Sequence, residues 1–588
     1  MIFGKYINKY YLRFFHYIFA GLIALIAVDI AQLKIPEYYK LIVNGINDGF
    51  VEAGGTVVAF DAAFVVNNIG MPMVAIIAVI VASRFLWRVS LLSASAKTET
   101  ALRKEMFDKC MTLSAAEYAD NKVGSLMSLF TNDLETIDEC FGWGILRFFD
   151  AVFLGGLAVY KMANMSLKLT LLAMVPMALM IALSALVGKF MAKKWELRQE
   201  VYASLSDFAQ ETFSGISVIK AFVKEAAQLS RFAKLNVKNE KVNVEFTKMS
   251  RLLNSIIVLL VGSVEAIILG YGGYLVYSDV FNAGELLEFL GYFGTVVWPV
   301  MAVAELIDTG SRGKASLKRI TKLLDTDPLV KDAPDAADYE VKGEIELRHL
   351  SFTYPLGDRP SLKDVSVNIK AGQNVGILGS TGCGKTTIAE LLLRFYDAPD
   401  GSIKIDGRDI KDFTLRSLRR SIAYAPQDNF LFNDTIANNI AFGNEYGDEV
   451  SKFASMADVD GDITAFKDGY NTVLGERGVT VSGGQKQRIS MARAFYKQAP
   501  ILILDDSVSA VDTATERNIL DSIKKERAGK TTLLMSHRIS SVRDMDVIVY
   551  MDDGLVIGSG SHDKLYDTCE KYRLVADMQK LDEEGGNE

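Results

Sequence analysis

Val375-Gly376-Ile377-Leu378 runs into Gly379-Ser380-Thr381-Gly382-Cys383-Gly384-Lys385-Thr386, and a helical stretch from Thr387 to Arg394 follows. A short apolar strand, a glycine-rich loop and a helix in that order form a P-loop context. The glycines let successive backbone N–H groups wrap a phosphate chain, and the helix behind them points its positive end at it. Gly379 through Thr387 therefore form the expected nucleotide cradle. Within it Lys385 faces the β- and γ-phosphates and the Thr386 hydroxyl faces Mg²⁺. Cys383 fills the loop as a small residue and needs no reactive role.

Working outward, Ile501-Leu502-Ile503-Leu504-Asp505 reads as a buried strand that ends in a carboxylate. That is where a P-loop ATPase polarises the shell of its Mg²⁺. From Gly343 onward such β-rich runs alternate with helical stretches, the signature of an α/β domain. Val481-Ser482-Gly483-Gly484-Gln485, followed by Lys486-Gln487-Arg488, adds a second Ser-Gly-Gly nest at the start of a helix. Two anion-binding elements in one domain call for a reason.

The first half of the chain is different. Of 588 residues, 50% are hydrophobic and 23% are charged, a mixture that suggests lipid-embedded and water-exposed parts in one molecule. Spanning about 30 Å of hydrocarbon takes roughly 20 apolar residues. Six segments qualify, near Phe14–Leu33, Pro72–Leu91, Phe141–Tyr160, Leu167–Val187, Ile256–Tyr277 and Leu286–Ile307. Arg84 and Arg88 interrupt the second. Lys5, Lys9 and Arg13 ahead of the first give it a superficial likeness to a signal peptide. Asp29 and Lys34 within its continuation, and the lack of a small-residue cleavage site, favour a membrane helix.

Residues 47–70, 163–166 and 278–288 contain no Lys or Arg, whereas 97–122 and 189–251 are rich in both. The positive-inside rule puts the basic segments, and both termini, in the cytoplasm. Helical periodicity in the basic segments continues past the membrane edge, which predicts tall legs. Turn-like elements are expected at 115–124 and 204–215. The reading divides the chain into a six-span all-α domain (1–324), a Pro/Asp-rich linker (325–342), an α/β nucleotide domain (343–580) and an acidic tail (581–588). Net charge of −8 sets nucleic acid aside as a partner. Four well-separated cysteines show neither CxxC nor zinc spacing and are expected as reduced thiols.

The nucleotide motifs, taken together, closely resemble the ABC ATPase family, and the order of six helices followed by an ATPase resembles its exporter-type half-transporters. By that resemblance Tyr354 stacks on adenine, and Gln427 in Ala425-Pro426-Gln427 is the Q-loop residue that joins Thr386 and Asp505 around Mg²⁺. Glu476 lies in an X-loop, Asp512 in the D-loop, and His537 is the switch histidine. The nest of Ser482, Gly483, Gly484 and Gln485 is the signature that caps ATP held by a second half-transporter. Glu117 to Gly124 and Ser206 to Gly215 are similar to the family's two coupling helices.

One departure stands out. The family usually has Glu after the Mg²⁺-site Asp, to orient the attacking water, and this chain has Asp506. An Asp is shorter by one C–C bond, about 1.5 Å. Asp506-Ser507, with Val297-Trp298-Pro299 and Glu305-Leu306-Ile307, resembles the degenerate-site subunit of heterodimeric bacterial multidrug exporters. A homodimer with two slow sites is the alternative. The catalytic set implied is Asp506, His537 and Gln427.

For cargo the sequence offers Asp29, Arg84, Arg147, Asp150 and Glu265 at membrane depth. The three-residue spacing of Arg147 and Asp150 lets them neutralise each other. Tyr292, Phe293 and Trp298 suit either an adaptable apolar cavity or plain helix packing. The expected activity is ATP-driven outward transport of amphipathic small molecules across a bacterial cytoplasmic membrane, in contact with lipid. Peptide export, import of a metal chelate, and a non-transporting channel or sensor are the alternatives.

Overall fold

The computed structural model describes residues 3–53, 56–120, 123–355, 357–442, 449–475, 478, 480–509 and 511–585. Glu476, residues 121–122 of the 117–124 coupling segment and residue 510 of the 509–512 D-loop lie outside them. The chain packs as two units.

The first unit comprises Met1–Cys110 and Gly124–Thr326. Its long helices are Phe15–Asp48 (α1), Met71–Thr112 (α2), Trp143–Met165 (α3), Leu167–Ser214 (α4), Glu225–Tyr277 (α5) and Ala283–Asp325 (α6). Five described helices are long and apolar enough to cross a membrane. In α4 the described apolar stretch, Leu167–Leu183, is shorter. The expected tall legs are present: α5 has 53 residues, which at 1.5 Å per residue is about 80 Å. Local chemistry starts these helices. Asn282 and Glu285 close a reciprocal capping box at the head of α6, and the Ser166 hydroxyl accepts from Leu169 N–H at the head of α4.

Leu33, Leu154, Ala158, Leu169, Val264 and Phe289 form one apolar core from five of the helices. Tyr292 and Phe293 are fully buried within it, and Phe293 also helps line a small apolar cavity with Met177, Met180 and Val264, while Trp298 is nearly half exposed. Backbones approach closely where small residues permit: a Cβ at Gly291 would come within 2.9 Å of Pro36.

Three expectations are corrected. Within 47–70, expected as a loop between spans, Phe50–Ala53 (β1) and Thr56–Ala59 (β2) pair as antiparallel strands. The second turn does not occupy 204–215. Helix α4 runs unbroken to Ser214 because that stretch has neither Gly nor Pro, and Gly215 then separates it from a short helix, Ile216–Ala221. Arg147 and Asp150 do not neutralise each other. Arg147 is engaged by Glu305 at 3.0 Å and Glu139 at 3.6 Å, and Asp150 accepts from the Trp298 indole.

The second unit comprises Met111–Val123 and Asp327–Glu588. The 111–123 segment, with its short helix Ala115–Asp120, thus packs with the nucleotide domain. Burial by itself would raise the Glu117 carboxyl. Hydrogen bonds from Ser114 and from the backbone N–H of Leu329 outweigh it and hold the group below the usual range.

Strands Ile345–Phe352 (β3), Leu362–Ile369 (β4), Ile403–Ile405 (β6) and Arg408–Asp409 (β7) form an antiparallel sheet in the order β4-β3-β6-β7. A six-stranded sheet contains Asn374–Gly379 (β5), Ile422–Ala425 (β8), Ile501–Asp505 (β9), Thr531–Ser536 (β10), Val547–Asp552 (β11) and Leu555–Gly560 (β12). Its order is β12-β11-β5-β10-β9-β8, parallel except for β12. Strands β9 and β10 are buried at every position, as expected for strands covered on both faces.

Candidate nucleotide-binding site

The carboxyl ends of β5, β8, β9 and β10 lie side by side. Leu378 is level with Ser536, Met535 with Asp505, and Leu504 with Ala425. In an open α/β sheet ligands bind at that edge. The register therefore delivers the P-loop from β5, Gln427 from β8, Asp505 and Asp506 from β9, and His537 from β10 to one place. They meet in a cleft of about 230 Å³, lined also by Tyr354, Thr381, Thr386 and Thr387.

Gly384 has a left-handed backbone (φ +100°), and a Cβ there would lie 2.6 Å from the Ser361 carbonyl. Only glycine meets both conditions. The loop passes directly into helix Lys385–Leu392 (α7). The Lys385 ammonium is turned back onto the loop, donating to the Gly379 and Ser380 carbonyls at 2.6 and 2.9 Å. It is a buried cation with neutral partners, placed to exchange them for phosphate oxygens. Cys383 is buried and its thiol is pushed up mainly by burial, in keeping with a filler role.

Burial raises the Asp505 carboxyl, and hydrogen bonds from Thr386 and Tyr424 offset part of that rise. Thr386, Asp505 and Gln427 are oxygen donors on one cleft, a set that suits Mg²⁺. Asp506 has φ +47°, a conformation that Asp tolerates better than most residues. Its carboxylate lies 3.0 Å from His537 Nδ1, and its carbonyl accepts from Gln487 Nε2 at 2.9 Å and Ser509 Oγ at 2.8 Å.

The Tyr354 hydroxyl donates to Glu390 at 2.6 Å and lies 3.0 Å from Thr387 Oγ1, while its ring packs edge-on against Phe352 and Tyr396. Glu390, Tyr424 and Gln487 were not singled out from the sequence. They brace the site rather than match a motif. The one hint was a tyrosine, Tyr424, among small and aliphatic residues in β8.

Ser482 and Gly483 are not in the cleft. Ser482 caps helix Gly483–Tyr496 (α8): its hydroxyl accepts from Gln485 N–H at 3.2 Å, and Gln485 Oε1 accepts from Ser482 N–H at 3.0 Å. Both Ser482 and Gly483 are exposed, and a Cβ at Gly483 would meet nothing within 4 Å. Gly484 follows in the first turn of the helix. Asp512 caps helix Thr513–Glu526 (α9), accepting from Ala514 and Thr515 N–H, contacts that hold its carboxyl below the usual range.

Residues 18–300 match a family described as "ABC transporter transmembrane region", and residues 362–509 match one described as "ABC transporter". The chain is 36% identical to the "Probable multidrug resistance ABC transporter ATP-binding/permease protein YheI" of Bacillus subtilis (strain 168), over 99% of this chain and 98% of that protein. It is 33% identical to the "Multidrug resistance-like ATP-binding protein MdlA" of Escherichia coli (strain K12), over 96% and 94% of the two chains. Among solved structures it is similar to "Structure of a bacterial Atm1-family ABC exporter with ATP bound", with a TM-score of 0.79, 26% identity, and coverage of 96% and 98%.

Proposed function

The chain belongs to the ABC transporter family, and from that premise we propose that it is one half of a heterodimeric bacterial exporter of amphipathic small molecules. The observation that carries the reading is an inequality within one domain. The P-loop, Asp505, Gln427 and His537 converge on a single cleft, whereas Ser482 and Gly483 open outward. An anion nest pointed away from its own phosphate site suits a second chain's nucleotide.

Lys385 leaves the loop carbonyls to meet the phosphates, and Tyr354 offers its ring to adenine. Thr386, Gln427 and Asp505 hold the divalent cation, which when bound neutralises phosphate charge. Asp506 sits where a general base is needed, but its short side chain rests on His537. A misplaced base forfeits much of a factor of about 10²–10⁴. The site of this chain is therefore read as the slow one, and the fast site as the one built from the partner's P-loop and this chain's Ser482.

Helix α4 is taken as the sixth span, since it occupies the expected position and opens with an apolar stretch. With the basic segments cytoplasmic, both termini are cytoplasmic as well. Domain limits of 1–324, 325–342, 343–580 and 581–588 complete the reading. The multidrug descriptions of the relatives support an amphipathic cargo.

The test is co-purification of the native complex with a mass determination of its subunits, then ATP-driven accumulation of a fluorescent amphipathic dye in inside-out vesicles. Two different subunits and ATP-dependent uptake are expected. A single subunit type sinks the heterodimer, and dye movement independent of ATP sinks the exporter.

A further inference from the structure

Two carboxyl groups deep in the helical unit have no role in the nucleotide chemistry. Asp29 on α1 is 1% exposed and Asp150 on α3 is 8% exposed. The two helices pack on each other and on α6. From α6 the Trp298 indole donates to Asp150 Oδ2 at 2.7 Å. Neither oxygen of Asp29 receives a hydrogen bond from any N–H or O–H among the described residues. What Asp29 faces is the Asp150 carboxyl, within hydrogen-bonding reach.

An ionised carboxylate only accepts hydrogen bonds, so two of them face to face have nothing to share and repel. The surrounding charges do not resolve this. Arg84 on α2 is near enough to act on Asp150. Arg147, one turn before Asp150, is taken by Glu139 and by Glu305 of α6. Further along α1, Lys34 pairs with Glu37, which also pairs with Lys161 of α3. One arginine is thus set against two carboxyl groups, and an uncompensated charge at membrane depth is costly. Adding one proton removes both problems: it supplies the missing donor and brings the count of Asp29, Asp150 and Arg84 to zero.

We propose that Asp29 and Asp150 form a proton-binding site in the transmembrane unit, with one proton held between the two carboxyl groups and Trp298 donating to Asp150. Protonation converts two facing carboxylates into one carboxylic acid that donates to the other's oxygen. On deprotonation the proton passes to water entering between the helices, and the two like charges then push α1 from α3. The packing of α1 on α3 is thereby tied to protonation. The inference needs the helical unit to lie in a membrane and is independent of cargo.

The experiment is infrared pH-difference spectroscopy of the full complex in lipid nanodiscs, with wild type, Asp29→Asn and Asp150→Asn, in sodium, potassium and choline buffers. Wild type should show a protonated-carboxyl C=O band at neutral pH that bleaches as pH rises, identically in all three buffers. Either substitution should abolish it, and unchanged helical amide bands in the same spectra show that the helical unit is folded. No such band in wild type, or a band that survives both substitutions, overturns the proposal. A band that emerges only when sodium and potassium are replaced by choline assigns the site to a metal cation and overturns it too. Should one variant fail to fold, loss or survival of the band in the other still decides. Failure of dye transport would leave these spectra untouched, so the two readings fail separately.

Discussion

The P-loop and the Ser482 nest are made of the same material, a few small residues at the start of a helix, yet they are finished differently. The P-loop is enclosed: its lysine is buried, and a Cβ at Gly379 or Gly384 would come within 2.6 Å of its neighbours. The Ser482 nest is open, and its hydroxyl is occupied by its own helix cap. An enclosed anion site is complete within one chain. An open one costs nothing to leave empty and acquires its ligand when another surface arrives. Under the proposed dimer, half of each functional site is written in the partner.

The contrast breaks most easily at Ser482. In the assembled transporter Ser482→Ala should lower steady-state ATP turnover by the equivalent of about 2.7–4 kcal/mol, the usual cost of losing a donor to developing charge. Asp506→Asn should lower it by less than about tenfold, or 1.4 kcal/mol. Equal, large losses would mean that the two elements serve one kind of site in a homodimer. Next in size is Lys385→Ala. It should weaken nucleotide photolabelling of this chain by the about 1.5–3 kcal/mol of a charged hydrogen bond, and leave labelling of the partner unchanged.

Tyr354→Ala should cost about 1–3 kcal/mol in the same measurement through lost stacking. Tyr354→Phe keeps the ring but leaves Glu390 without its donor, so a smaller loss of about 1 kcal/mol is expected. If the two variants lose equally, the hydroxyl matters and the stacking assignment falls. The smallest effect concerns pH. Burial raises the Asp505 carboxyl, so its proton must leave before a cation can bind. Mg²⁺-ATP affinity should fall as pH drops through that raised range, while the affinity for metal-free ATP changes little. Because the folded state holds this proton more tightly than the unfolded chain, the same group favours folding at low pH, and that contribution is lost as pH rises. Tyr424→Phe removes a hydrogen bond to the carboxylate and should move the Mg²⁺ titration midpoint upward; calorimetry of binding against pH checks both.

The candidate cleft was legible in the sequence because its pattern is local. Lys385 and Thr386 are brought to it by the loop they sit in, and Asp505 by the strand it ends. The braces were hidden because they are long-range: Glu390 meets Tyr354, and Gln487 meets Asp506, only once the sheet has formed. The helices of the first unit were legible from length and hydropathy, which depend on the solvent more than on the partner. Their contacts were not. Arg147 sits three residues from Asp150 and turns to Glu305 instead, because helices α3 and α6 bring in a partner that spacing along one helix cannot reveal. The turn misplaced at 204–215 failed for a simpler reason: a run with no Gly or Pro gave no cause to stop before Gly215.

The carbonyl of residue 506 accepts from Gln487, a buried side chain in the second turn of the helix that Ser482 caps. A carbonyl has neither a charge to lose nor a rotamer to change, so it moves only when its peptide plane tilts. The Cα at the edge of that plane also carries the side chain that touches His537. The cleft that faces inward and the helix behind the nest that faces outward are therefore joined at a single residue, Asp506, through its side chain on one side and its carbonyl on the other.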